Sequence, residues 1–475
     1  RRRGVAPGSH RGPDAAPHRG PAVRTAGRAG TPASGADAVV VGAGVIGASV
    51  ALELARTGRR VVVVDKAGGV GHGSTSASSA IIRFNYSTWD GVATAWESRH
   101  CWTRWAEHLG TGPGPALAAF RRTGAVLLDA PGSGTSQVVA LFERAGVPYE
   151  RWDAAMLRRR VPGIDAGRYG PPRSLLDEAF FGGPKGELGA LFTPDAGFVD
   201  DPRLAAQNLA DAAARSGVRF LLRREVVGVL RGGERVAGVR LADGTAITAP
   251  VVVNAAGPWS GGFNRLAGVG SEFTVGVRPL REEVHQVAAT VRRDDGTGAN
   301  PGGTGTASGL IVADVDLGVY LRPSGGHVLI GSTLPACDRR EWLDDPDACN
   351  PHPTPGRFET QVTRAARRFP LLGVPNRPTG VAGVYDAADD WSPVYDRTDL
   401  AGFYVAMGTS GNQFKNAPLA GRFLATLVDR VEAGHDHDRD PLRYTGEHTG
   451  LVVDLGAFSR RRPVAEGAAA RTVLG

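Results

Sequence analysis

Short apolar runs and longer amphipathic stretches alternate along this chain, and their spacing predicts its elements. Residues 38–41 and 61–64 are unbroken runs of alanine and valine, the pattern of strands covered on both faces of a parallel sheet. Between them, apolar positions recur at helical spacing from residue 45 to about Arg56. Further strands are expected at 125–128, 218–222, 226–230, 236–241, 251–253 and 403–406, and period-two alternation runs through 273–333. Helical patterning predicts helices over 89–109, 137–145, 202–216, 356–368 and from the turn at 408–415 on to about 431. Gly232-Gly233 and Asp243-Gly244 are pairs that close hairpin turns. Strand-and-helix segments at 37–65, 218–257 and 402–430 are separated by mixed segments. That order predicts an α/β core assembled from three pieces of chain, with a second domain interleaved between them. No internal repeat is visible, and no run of ~18 apolar residues is present to span a membrane.

The first predicted strand leads into Gly42-Ala43-Gly44-Val45-Ile46-Gly47, and the second ends on Asp65. Gly42 permits a tight turn, Gly44 lets the backbone approach a pyrophosphate, and Gly47 lets helix and strand pack closely. The helix N-terminus offers unpaired N–H groups and partial positive charge to phosphates. Asp65 stands where a carboxylate accepts hydrogen bonds from ribose hydroxyls. A glycine-rich turn alone is weak evidence. Strand, turn, helix and terminal acid at this spacing predict an adenine dinucleotide site rather than a ligand-free sheet turn.

Bulk composition narrows the remaining possibilities. At 475 residues the chain has room for two domains. Much of its net charge of +7 comes from residues 1–36, which hold seven arginines and one aspartate among Pro, Gly and Ala. This head reads as disordered, and the nearly neutral remainder argues against a nucleic-acid partner. No apolar segment follows Arg1-Arg2-Arg3, so export is not expected. Cys101, Cys337 and Cys349 are odd in number and lack metal-ligand spacing, which fits free thiols in a reducing cytoplasm. The Gly-His-Asp-His-Asp run at 434–438 sits between a helix end and Pro441, so a solvated turn is expected there and no metal.

With these pieces in order, residues 37–432 resemble the glycine oxidase and sarcosine oxidase branch of the D-amino-acid-oxidase-like FAD-dependent oxidoreductases. The likeness rests on the Gly42–Gly47 turn, the Gly73-Ser74-Thr75-Ser76 loop, the run 251–257 and the turn 408–415. It implies FAD as the cofactor, an FAD-binding Rossmann-like domain (37–93, 187–262, 380–435) and an interleaved α+β substrate domain (94–186, 263–379) on a mixed or antiparallel sheet. Residues 436–475 are expected as a C-terminal tail. By the same resemblance Ser74 and Thr75 meet the pyrophosphate, Val226 the adenine, and Gly257 borders the ring system. Val45, Ile46, Lys66, Ser76, Ala256 and Trp259 belong beside them, and Gly408, Ser410, Gly411, Asn412 and Gln413 approach the flavin. Arg83 matches the arginine that holds a substrate carboxylate, Tyr86 an active-site tyrosine, and Lys415 the lysine completing that grip. Lys415 is also one of only three lysines against 52 arginines, so lysine is not this chain's default cation.

Departures from the pattern carry information too. Gly383 stands where monomeric sarcosine oxidases have a flavin-linked cysteine, and Ala77 near where dimethylglycine dehydrogenases have a flavin-linked histidine. Non-covalent FAD is therefore expected, with His72 the remaining candidate tether. Leu329 stands near the position of the lysine that promotes oxygen reduction in the sarcosine oxidases, a departure that weighs against oxidase activity but not against hydride removal, and the acceptor is left open between O2 and an electron carrier. The expected chemistry is hydride removal from the C–N bond of a small amino acid or secondary amine bearing a carboxylate, giving an imine that hydrolyses. Tyr320 and Arg322, with His285 behind them, are candidates to line the pocket. The competing readings are a flavin-dependent dehydrogenase of a 2-hydroxy acid or polyol phosphate, and a flavin-binding subunit active only in a hetero-oligomer. Monomer and homo-oligomer both remain open.

Overall fold

The computed structural model describes residues 35–114, 116–289 and 309–464; the expected disordered head therefore lies, up to residue 34, outside the described residues. A six-stranded sheet forms the nucleotide side. Its strand order is Val394–Arg397, Phe403–Met407, Val251–Asn254, Ala38–Val41, Val61–Asp65, Arg219–Leu222. All neighbours are parallel except the Val394–Arg397 edge. The three chain pieces thus meet in one sheet, and the period of two along each strand divides its side chains between two covers. Ala38, Val40, Val61, Val63, Val251 and Val253 pack with helices Val45–Arg56, Pro202–Arg215 and Ala417–Glu432. Val39, Val41, Val62, Val64 and Val252 pack instead with Val236, Val239 and Ile247 of a small antiparallel sheet, Val226–Gly232, Arg235–Leu241 and Ala246–Thr248. Burial on both faces is why these strands read as continuous valine runs.

The second sheet has nine strands, all pairings antiparallel except that between Ile311–Asp314 and Ala125–Leu128. Helix Pro355–Arg368 lays Phe358, Val362 and Ala365 against one face, together with Val319, Leu321, Val328 and Ile330. The opposite face looks toward the nucleotide sheet. Ala190–Thr193 and Gly380–Ala388, which the sequence boundaries put on the nucleotide side, hydrogen-bond into this second sheet. Short alternating strands carry no mark of which sheet they will join.

Two local expectations change. The helix expected over 89–109 breaks at Arg104 into Trp89–Thr103 and Trp105–His108. The 434–438 run is a turn, solvated only in part: Gly434 and Asp436 are exposed, but His437 is buried and accepts the Leu442 N–H at 3.0 Å, and Asp438 pairs with Arg460 at 2.8 Å. Among the described residues no cluster of His, Cys, Asp or Glu is arranged to hold a metal, and no helix is long and apolar enough to cross a membrane. The three cysteines are unpaired with one another. Residues 443–464 of the expected tail fold back as the strand pair Arg443–Thr445 and Val452–Asp454, the turn Leu455–Phe458, and the buried Arg460 and Arg462.

Candidate active site

A cavity of about 1610 Å³ lies between the two sheets. Its nucleotide end is built on the glycine turn. Gly42 has φ +110°, and a Cβ there would fall 2.2 Å from the Ala255 carbonyl oxygen; one on Gly47 would fall 1.9 Å from the Gly42 oxygen. Both glycines let strand and helix touch, and Gly47 accordingly does not line the cavity, whereas Gly42, Gly44, Val45 and Ile46 do. Thr75 Oγ1 accepts the Val45 N–H at 3.1 Å, tying the 73–79 loop to the start of the helix. Asp65 takes the Ala43 N–H at 2.6 Å and the Ala67 N–H at 2.7 Å, which presents its carboxylate at the end of the strand. Val226, Ala256, Gly257 and Trp259 complete this end. Gly257 has φ +55°, and a Cβ there would meet nothing within 4 Å, so the space before it is open to a ligand. Lys66 lies across the mouth, bonded to Asp347 at 2.6 Å, and the Trp259 indole N–H donates to the same carboxylate at 3.0 Å.

At the other end the two expected cations meet. Arg83 and Lys415 are both buried, each 5.2 Å from the centroid of the Tyr86 ring. The Tyr86 hydroxyl donates to the Asn412 carbonyl at 2.9 Å and receives Lys415 Nζ and Asn416 Nδ2, both at 3.2 Å. Lys415 Nζ also donates to the Asn412 carbonyl, and Ser98 and Trp102 both hold the Lys415 carbonyl at 2.6 Å. The ammonium is thereby fixed in place. Burial, with the Arg83 charge nearby, pulls Lys415 well below the usual lysine range, and burial also lowers Arg83. No carboxylate of the described residues pairs with Lys415.

Ala77 and Gly383, the two positions without a flavin-linking residue, face each other, a Cβ on Gly383 falling 2.7 Å from Ala77 Cβ. Ser74 lines the cavity and donates to the Val384 carbonyl. His72 is exposed on the cavity wall. Gly411, Asn412 and Gln413 line the cavity, as does Tyr320, whose hydroxyl bonds Ser79 at 2.6 Å.

Several expected residues lie elsewhere. Ser76 is exposed and donates to Gly73, while Ser410 is buried behind the wall and ties Gly408 to Ala388. Arg322 turns from the cavity, donating to the Val199 carbonyl at 3.0 Å over the Phe198 ring. His285 lies on the face under helix Pro355–Arg368, edge-on to Phe358. Leu329 does not line the cavity either; the strand partner that Tyr320 covers is Gly331. Tyr385 and Asp386 were missed by sequence reasoning and both line the wall. Asp386 accepts the Thr409 hydroxyl and leaves Oδ2 without a partner, and burial raises its carboxyl. The only signal for Tyr385 was its two-residue spacing from Gly383 on a strand.

Residues 37–427 match the family described as DAO, FAD dependent oxidoreductase. Glycine oxidase of Geobacillus kaustophilus is 26% identical over 419 residues, which cover 84% of this chain and 94% of that protein. Sarcosine oxidase subunit beta of an Arthrobacter species is 25% identical over 406 residues, covering 84% of this chain and 88% of its own length. The crystal structure of the Geobacillus glycine oxidase agrees with a TM-score of 0.66 at 22% identity, covering 90% of this chain and 99% of that one. The cofactor is FAD, and a cavity wall that runs from Gly44 to the open space at Gly257, with Asp65 at its edge, suits that dinucleotide. From its glycine turn to the last helix of its nucleotide sheet, this chain belongs to the FAD-dependent oxidoreductases and is an enzyme of that family.

Proposed function

We propose that this enzyme removes hydride from the carbon of a C–N bond in a small amino acid or N-substituted amine carrying a carboxylate. Lys415, buried beside Arg83 on one cavity wall, with no carboxylate of the described residues to pair with and its charge disfavoured until an anion joins it, is the observation that carries this reading. FAD supplies the hydride acceptor when bound. As hydride leaves carbon, the nitrogen lone pair forms the C=N bond, and water then adds to release the carbonyl product and the amine. The chain's residues bind and orient. Arg83 and Lys415 hold the two carboxylate oxygens, Tyr86 keeps Lys415 aimed, and Tyr320, steadied by Ser79, limits the approach from the second sheet. The substrate nitrogen must be neutral to release hydride, and the Arg83 charge on the cavity wall favours that form. O2 or an electron carrier would be the final electron acceptor. Three cysteines without disulfides fit a reducing cytoplasm.

Anaerobic mixing of the FAD-loaded protein with amino acids, N-methyl amino acids and 2-hydroxy acids tests the reading. Bleaching of the flavin by the nitrogen compounds is expected. Bleaching by the hydroxy acids alone would replace it.

A further inference from the structure

At about 1610 Å³ the cavity exceeds the roughly 300–1,000 Å³ that a single small molecule fills. FAD and a substrate must share it, part of its wall is the second sheet, and strand register explains the character of that part. Leu127, Ala313, Tyr320 and Gly331 are successive cross-strand partners and therefore share one face. Leu127, Ala313 and Tyr320 line the cavity, with Ile311 two residues along the strand and Val138 of helix Thr135–Ala145 above. The polar groups here are already engaged: Gln137 Nε2 donates to the Ser87 carbonyl at 2.8 Å, and Tyr320 bonds Ser79 at 2.6 Å. Residues 125–138 and 311–320 bring no charged side chain to the cavity. The Gln137–Ser87 bond also sets this lobe four residues along the chain from Arg83.

We propose that this lobe receives the substrate's side chain, and that the enzyme takes an amino acid with a bulky apolar side chain, of leucine to phenylalanine size, in preference to glycine or sarcosine. The inference rests on the reading of Arg83 and Lys415 as the carboxylate grip. A carboxylate held there leaves the substituent on its α-carbon to be lodged elsewhere in the same cavity, where it either stays by the cations or covers the apolar wall of Leu127 and Ala313. The second path removes apolar surface from water on both partners. A charged side chain would lose its hydration with no partner to replace it.

The test reads binding without turnover. Inert carboxylates (acetate, 4-methylpentanoate, 3-phenylpropanoate and succinate) are titrated into the FAD-loaded enzyme, and the change in flavin absorbance gives Kd. The expected result is a Kd at least about 30-fold lower for 3-phenylpropanoate than for acetate, with succinate no tighter than acetate. Equal affinities, or tighter succinate, would overturn the proposal. In Ala313→Phe, which fills the lobe, the acetate-to-phenylpropanoate ratio should fall at least about 10-fold; an unchanged ratio would count against the proposal, and the wild-type series decides if that variant fails to hold FAD. Failure of every amine to bleach the flavin while the carboxylates keep this order would remove the amine reading and leave the lobe standing.

Discussion

Lys415 is the residue on which substrate recognition can be tested most directly. Lys415→Met should leave flavin content nearly intact and weaken flavin reduction by roughly 2–4 kcal/mol in transition-state terms, since a charge-assisted bond to a carboxylate is lost. Esterifying the substrate should harm the wild type far more than this variant; equal sensitivity would show that Lys415 does not meet the carboxylate. Glu282 provides a second residue-scale test. Burial raises its carboxyl to about 7 from 4.5, and its Oε1 has no partner, although Arg357 lies 3.3 Å from Oε2. Between those two values the native chain keeps a proton that the unfolded chain releases, so this group makes stability fall as pH rises through that window. Glu282→Gln should flatten the fall in melting temperature between about pH 4 and about pH 8, values that bracket the window. An unchanged slope would mean that the carboxyl ionises normally.

Among the elements, the glycine turn was the most legible part of the chain. Gly42, Gly44 and Gly47 each do a separate job, and that division was readable because the constraint is local to six residues. Gly44→Val should yield protein lacking FAD, because the side chain enters the pyrophosphate cradle and presses on Thr75 Oγ1, which a Cβ already approaches to 3.3 Å. Normal flavin absorbance in that variant would remove the cradle. The Gly380–Ala388 strand shows the limit of local reading. Its pairing with Val277–Ala288 sets Gly383 against Ala77, and neither residue has a nucleophile to hold the flavin. Acid precipitation should therefore release all of the yellow colour to the supernatant. Colour in the pellet would point to His72.

For the whole molecule, the return of residues 443–464 is the feature that holds pieces together. Arg460 is buried and reaches Asp396 at 3.1 Å, Asp438 at 2.8 Å and Asp399 at 2.7 Å, while Arg462 takes Asp390 at 2.7 Å. Asp390 begins the bend whose Trp391 carbonyl accepts Asn412 Nδ2 at 3.1 Å, so the C-terminal segment supports the turn at the cavity wall. Arg460→Ala should cost about 3–5 kcal/mol, because it strands the buried Asp396 without its cation. A denaturation midpoint close to that of the wild type would refute this. Sequence reasoning expected a tail here, since short strands and arginines separated by polar turns carry no periodicity.

The sequence by itself determined the nucleotide half. Continuous valine strands, one glycine turn and the amphipathic helices between them carry their instructions within a few residues, and the three chain pieces met in the sheet they predict. It also named Arg83, Tyr86 and Lys415, through the resemblance and the scarcity of lysine. Only the tertiary structure decided the rest. Which face of a strand meets the cavity depends on register with a partner more than a hundred residues away, and a shift of one position reverses it. Register set His285 on the helix face and laid Leu127 beside Ala313 and Tyr320 on the cavity face, while the pairing of Gly380–Ala388 with Val277–Ala288 carried Tyr385 and Asp386 to the wall. The shape and apolar character of the substrate lobe follow from those pairings, because long-range hydrogen bonds between strands leave no trace in local composition.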